Sequence, residues 1–517
     1  MPTYLTPGVY VEEIDSGSKP LSSGATAVAA FVGFTAKAPA NDPSDPEGRR
    51  PRLVTNWTQF ENLFGGFVPG AMLPHAVYGY FNNGGAMAYI VRVPHERASG
   101  QRPALAVASG DGKPALEVAA KVADPDLRVT VTPAPPPPDE DGDPRFTITV
   151  ESGDTPLETF TDLSLAKGDR NVETVTATSN YVTVKTKSST KGAQLAAGTY
   201  TIDPAPMTPV DVRDSDFAGS EADRNGIGGL AIADDVTMVI VPDLITAATK
   251  ADGSIDRDMW KAVQIALIGH CEGQANRMAI LDPLPGLNPQ QMRDWRSDVA
   301  GYDSMFAAMY YPWIKVANPA ATNGDRIITI PPSGHMAGVW ARTDETRGVW
   351  KAPANEVIRG VLDVESPITK AEQGILNPIG VNCIRAFGVR GIRVWGARTM
   401  SSNPSWNYLN VRRLFNMVET TIMDGTQWVV FEPNDLALWQ KVKRTLNAYL
   451  RGLWREGALF GATPGEAFYV KCDAENNPPD SIDLGRLIVE VGIAPVKPAE
   501  FVIFRISQWQ GGSAAAE

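Results

Sequence analysis

Apolar positions along this 517-residue chain change period from one segment to the next, and the changes mark its elements. Thr26 to Phe34 reads as a strand. Asn56 can cap a short helix carrying Trp57, Phe60, Leu63 and Phe64. A second helix, around Pro74 to Phe81, stops at Gly84-Gly85, and AMAYIVRV follows as a strand. From Asp235 strand and helix alternate: VTMVIVP, a helix about Asp256 to His270, the strand RMAILD, a helix about Pro289 to Val299, and a strand around MFAAMYYPW. The run VTMVIV has no polar alternation, as expected of a strand covered on both faces. Strand, helix, strand at this spacing predicts parallel pairing through right-handed crossovers, hence an α/β domain.

The segment from about Arg97 to Arg224 has a different pattern. Thr and Val alternate in short runs (LRVTVTP, RFTITVES, NYVTVKTK, GTYTID) separated by PPPPDEDGDP and by Gly-containing turns, which predicts antiparallel strands joined by polar loops. None of the twelve tryptophans lies between Trp57 and Trp260. With 13 basic and 20 acidic residues the segment holds −7 of a total net charge of −12. It reads as an inserted, acidic, solvated β-rich module.

In the last third a long helix is opened by Pro433 with Asn434 as its cap. At 100° per residue Trp439, Val442, Leu446, Tyr449, Leu450 and Leu453 share one face, and Lys441, Arg444, Arg451 and Arg455 the opposite one. Gly380 to Phe460 holds 11 basic and 5 acidic residues, so charge is polarised along the chain. Such a basic face is either plainly solvated or a docking surface for an acidic partner.

Both ends carry a strand pattern without a local turn to supply a partner: TYLTPGVYVEEI, including Val9, Tyr10 and Val11, and the terminal run with Phe501, Val502, Ile503, Phe504 and Ile506. A lone strand cannot satisfy its N–H and C=O groups with a neighbour, so each end either folds back on its own chain or is donated to another.

Composition narrows the chemistry. The acidic total disfavours general nucleic-acid binding, although a basic-helix binder stays open as an alternative. Cys271, Cys383 and Cys472 form no CxxC pair and read as buried free thiols. The N-terminal stretch lacks a signal-peptide pattern, and no run approaches a membrane span. Gly226-Ile227-Gly228-Gly229 precedes a strand and reads as a loop; no GxxxxGK[ST] occurs; His75, His95, His270 and His335 are too scattered for a metal-ligand set. No cofactor or metal site is expected. Asp243, His270 and Ser333 occur in the order of a subtilisin-type triad, but LIGHCEGQ and PPSGHMAG lack the Gly-rich signatures that such a nucleophile and base need. A hydrolase is therefore the alternative and no catalytic residue is assigned.

Several long motifs, in one fixed order, carry more: PGVYVEEI, NGGAMAYIVRV, KAPANEVIRGV, LNPIGVNCIR, VWGARTM, NVRRL, GTQWVVFEPND, EAFYVKCD, NNPPDSID and PAEFVIFRISQ. In these the chain resembles the contractile tail sheath proteins of bacteriophages and of extracellular contractile injection systems. The resemblance implies α/β and α+β multidomain architecture: an N-terminal arm (1–25), a subtilisin-like α/β sheath core without an active site (26–96 and 226–376), a β-rich inserted outer domain (97–225), a C-terminal α+β domain (377–499) completed by strands from neighbouring subunits, and a C-terminal arm (500–517). It implies a non-enzymatic subunit that polymerises helically around an inner tube and contracts from a metastable extended state. Its partners would be copies of itself, the tube protein, and baseplate and terminator or cap proteins, with no nucleic acid and no membrane insertion. Lys441, Arg444, Arg451 and Arg455 would face the tube. Assembly would be cytoplasmic, within a phage tail or injection particle.

Overall fold

In a computed structural model of the chain the described residues are 21, 26–39, 45, 48–94, 104–108, 114–121, 124, 126–134, 144–187, 194–202, 212–250, 252–319 and 326–506. The first part supplies β1 (Val28–Gly33), β2 (Arg52–Val54), α1 (Trp57–Phe64), α2 (Leu73–Asn82) and β3 (Met87–Arg92). Asn56 caps α1 by accepting from Gln59 N.

The Thr/Val segment forms β4 (Ala104–Ala108), β5 (Pro114–Ala120), β6 (Leu127–Ala134), β7 (Arg145–Ser152), β8 (Thr155–Leu163), a one-turn α3 (Val172–Val175), β9 (Val182–Thr186) and β10 (Gly198–Thr201). These strands pair only antiparallel, in the orders β10-β6-β7-β8 and β4-β5-β9. Their alternating apolar positions, among them Val129, Val131, Ile148, Val150, Val118 and Val184, close a hydrophobic cluster separate from the main one.

The chain returns to the main core at α4 (Asp214–Ala218), ahead of residue 226, where buried Phe217 packs 5.8 Å from Phe34. Then follow β11 (Met238–Ile240), α5 (Leu244–Ala248), α6 (Arg257–Gln274), β12 (Met278–Leu281), α7 (Pro289–Asp294) and β13 (Ala307–Tyr311). A small antiparallel sheet, β15 (Ile327–Ile330), β14 (Ile314–Ala317) and β16 (Val361–Val364), brackets the buried helix α8 (Ser333–Arg347) in sequence. After α9 (Lys370–Leu376) come β17 (Val381–Ala386) and β18 (Ile392–Val394).

The main sheet has eight strands in the order β18-β17-β13-β12-β11-β1-β3-β2. The strands from β17 to β3 are mutually parallel; the two edge strands run antiparallel to their neighbours. Every residue of β1, β11, β12 and β13 is buried, as their unbroken apolar runs require. The sheet extends past the 376/377 boundary read from the sequence. Gly380 in a left-handed turn ends the crossover through α9, so LNPIGVNCIR feeds the core sheet through β17 and does not open the C-terminal unit.

Helices α2 and α8 cross at close range, and only glycine fits the contact: a Cβ at Gly79 would lie 2.2 Å from the His335 ring.

The C-terminal unit is built on α10 (Leu409–Gly425) and α11 (Leu436–Arg455), followed by α12 (Pro464–Ala467), β19 (Phe468–Lys471), α13 (Pro479–Asp483) and β20 (Glu490–Ile493). The six apolar positions of the long helix are all buried. Its cap is Asp435, which accepts from Leu438 N, and not Asn434. Both residue types cap well; Asn434 is instead engaged by Trp439 Nε1 and by the Arg486 carbonyl.

Candidate assembly interface

The place to look first for chemistry in an open parallel sheet is the rim where strand order reverses. Here that point lies between β1 and β11. It is occupied by the protein's own Asp243, three residues beyond β11. Its carboxylate accepts from Phe34 N at 2.6 Å, from Met72 N, and from Leu73 N at 3.3 Å. Met72 and Leu73 open α2, which has no side-chain cap of its own. A carboxylate from 170 residues away therefore caps that helix and answers its dipole. The fit requires Gly33, since a Cβ there would fall 2.3 Å from Asp243 Oδ2.

The device repeats one strand over. Asp282, just beyond β12, accepts from Ser333 N at 3.0 Å and Ser333 Oγ at 2.5 Å, and so caps α8. Burial pushes the carboxyls of Asp243 and Asp282 up to about 7, against the pull of those hydrogen bonds.

The triad order read from the sequence is thus not assembled. Asp243 is spent on α2, Ser333 on Asp282, and His270 Nε2 lies 3.3 Å from Arg277 Nη1. No hydrogen bond joins any two of the three. Burial, with Arg277 beside it, holds His270 down at about 4. His75 and His335 are likewise lowered to about 4, chiefly by burial. Cys271, Cys383 and Cys472 are free and buried. Among the described residues there is no His/Cys/Asp/Glu group arranged to hold a metal and no helix long and apolar enough to cross a membrane.

The C-terminal end of the chain is arranged in the opposite way. Strands β19 and β20 form a two-stranded antiparallel sheet that no other described strand joins. It rests against α11, and a pair of strands this short depends on such support. The chain then runs on through Val496, whose carbonyl accepts from Asn410 Nδ2 at 3.0 Å, to Glu500. Beyond it Phe501 to Ile506 has no regular structure, and Phe501, Val502, Ile503, Phe504 and Ile506 are 71, 69, 79, 84 and 95% exposed. Five apolar side chains, interrupted by Arg505 alone, are thus exposed in succession, which makes the run a candidate interface. Val9, Tyr10 and Val11 lie outside the described residues; the nearest described position, Leu21, packs against the C-terminal clusters.

On α11, Arg444, Arg451 and Arg455 are exposed, whereas Lys441 lies 4.3 Å over the Trp428 ring. The local positive excess is smaller than composition suggests. Arg412 and Arg413 are buried in ion pairs with Glu419 and Asp344, and Arg398 pairs with Glu500. Sequence reasoning missed Phe431 in the α10–α11 connection. Its φ is 68°, unusual for a bulky residue, and its side chain is 102% exposed.

The fold is mixed α/β, with an eight-stranded sheet whose crevice is filled from within, and comparison with known proteins places it in a family. Residues 226–400 match the phage tail sheath protein central domain and residues 401–508 the phage tail sheath C-terminal domain. The chain belongs to the phage tail sheath family. It is 30% identical over 182 residues to the tail sheath protein of Vibrio phage KVP40, covering 34% of this chain and 26% of that one. To the tail sheath protein of Burkholderia phage BcepMu it is 26% identical over 332 residues, 61% of this chain and 65% of the relative. The matched stretches thus span less than two thirds of these relatives. Among solved structures it is similar to a chain of the anti-feeding prophage baseplate (TM-score 0.58, 25% identity, 98% of this chain and 100% of that one). It is also similar to the sheath complex of an extracellular contractile injection system, PVC, in its contracted state (TM-score 0.56, 25% identity, 98% and 99%).

Proposed function

We propose that the chain is the repeating subunit of a contractile sheath, polymerising helically around an inner tube and driving it forward by passing from a metastable extended packing to a contracted one. The observation that carries this reading is the exposed apolar run Phe501–Ile506, which follows in the chain a sheet of only two described strands. A donated strand would add main-chain hydrogen bonds of about 0.5–1.5 kcal/mol each and bury those side chains on a neighbour. Residues 9–11 are proposed to act in the same way at the other end. The work would come from the difference between two packings of the same subunits, with no nucleotide consumed.

In this reading the main sheet is a subtilisin-like core without hydrolytic activity, a view supported by the separate engagement of Asp243, His270 and Ser333. The acidic β-rich module faces outward, and the partners are the tube, the baseplate and a terminal cap, with assembly in the cytoplasm. Lys441, Arg444, Arg451 and Arg455 are proposed to face the tube. Reversing Arg444 and Arg451 to Glu is expected to weaken sheath formation on isolated tubes in pelleting assays; unchanged recruitment would remove that assignment.

The main test is truncation. A chain ending at Glu500 is expected to keep its unfolding midpoint and to lose tubes and helical fragments in negative-stain micrographs. Normal polymers from the truncated chain would overturn the proposal.

A further inference from the structure

The exposed arm begins at a built anchor. The Glu500 carboxylate accepts from Arg398 Nε at 2.9 Å and Nη2 at 2.6 Å, from Asn377 Nδ2 at 2.6 Å and from the Tyr408 hydroxyl at 3.3 Å. Those donors come from three separate segments: the residue after α9, the stretch after β18, and the N-cap of α10. Both neighbours of Glu500 in sequence, Ala499 and Phe501, are exposed, so this one side chain fastens the strap. Burial raises its pKa, but the bonds from Arg398, Asn377 and Tyr408 outweigh it and hold the carboxyl below its usual range.

The anchor leads inward. Arg398 N donates to Asn382 Oδ1 at 2.7 Å, and Asn382 Nδ2 donates back to the Arg398 carbonyl at 2.8 Å. Asn382 is fully buried on β17, opposite Tyr310 of β13. A continuous path of short polar contacts therefore runs from the root of the arm into the eight-stranded sheet.

We infer that Glu500 is a positioning residue that couples the C-terminal arm to the core sheet through Arg398 and Asn382, so that the arm turns with the body of its own subunit. The inference rests on arm donation as proposed above. Without the carboxylate the next hold on the chain is Val496, and Lys497 to Glu500 would join the free tether. Four extended residues give about 13 Å of play, more than twice the ~4.8 Å between paired strands. A donated strand on such a tether no longer reports the orientation of the body it came from.

The test compares the purified full chain with Glu500→Gln, with the exchange Arg398→Glu plus Glu500→Arg, and with the chain ending at Glu500. Glu500→Gln is expected to leave the melting temperature of the unassembled chain within about 2 °C and to raise the critical concentration for polymerisation about tenfold. The exchange is expected to bring it back to within about threefold. Wild-type polymerisation by Glu500→Gln, with none by the truncated chain, would overturn the coupling and leave arm donation standing. Wild-type polymerisation by the truncated chain would remove arm donation and the coupling with it. A fall of more than about 5 °C in the melting temperature of Glu500→Gln would make Glu500 an ordinary stabilising residue and overturn the inference.

Discussion

The C-terminal rim of the main sheet and the C-terminal end of the chain handle unpaired groups in opposite ways. At the rim, helix α2 and helix α8 present backbone N–H groups at the ends of parallel strands, where an α/β enzyme would hold an anion, and Asp243 and Asp282 fill both positions from within. At the end, an apolar run follows a two-stranded sheet and nothing in the described chain covers it. One region has its ligand built in; the other is left exposed and, under the proposed function, is covered by a neighbour. The difference teaches where the proposed function can reside: a crevice sealed by its own side chains serves stability, which leaves the exposed run as the part that assembly would use.

The sharpest way to break the contrast is to unseal the rim. Asp243→Ala leaves the amides of Phe34, Met72 and Leu73 buried without their acceptor and is expected to cost about 4 kcal/mol in urea unfolding. A loss below about 1 kcal/mol would mean that the capping is incidental. The next effect is pH dependence. Asp282 titrates near 7 in the fold against 3.8 in its ordinary state, so folding takes up a proton between those values. The associated stabilisation is complete below the lower value and is lost as pH rises through the upper one, with a slope of up to about 1.4 kcal/mol per pH unit. Asp243, raised to a similar value, adds a slope of the same sign, so Asp282→Asn should lower the slope measured between pH 4.5 and 7 by up to about 1.4 kcal/mol per pH unit without abolishing it, and an unchanged slope would remove Asp282 as a source. The smallest effect belongs to the connection between α10 and α11. Phe431→Gly relieves a left-handed backbone at the expense of a more flexible unfolded chain, for a net gain of about 0.5 kcal/mol by chemical denaturation; a loss would show that the exposed ring contributes to the free chain.

How much of this could be read from the sequence follows from the range of each interaction. The buried face of α11 was legible because Trp439 to Leu453 repeats at the helical period, and β1 and β11 because they are apolar throughout. The apolar terminal run stood out for lacking a turn and a partner. Asp243 and Asp282 as remote caps were not legible, since their partners lie 170 and 51 positions away and no local pattern announces them. The same holds for Glu500, whose partner Arg398 is 102 positions distant. The cap of α11 shifted by one residue because Asn434 and Asp435 are chemically near-equivalent there, and only the fold sends Asn434 elsewhere.

Arg413 ties α10 to two other parts of the body. Its guanidinium binds Asp344 of α8 through both carboxylate oxygens and also takes the carbonyl of Thr26, at the start of β1. Leu21, five residues upstream of Thr26, packs against the C-terminal clusters, so the described chain is held near its N-terminal end as it is at Glu500 near the other. Under the proposed arrangement each subunit is then a bar with a pivot at either end, and the shapes open to a stack of such bars follow from where those pivots sit.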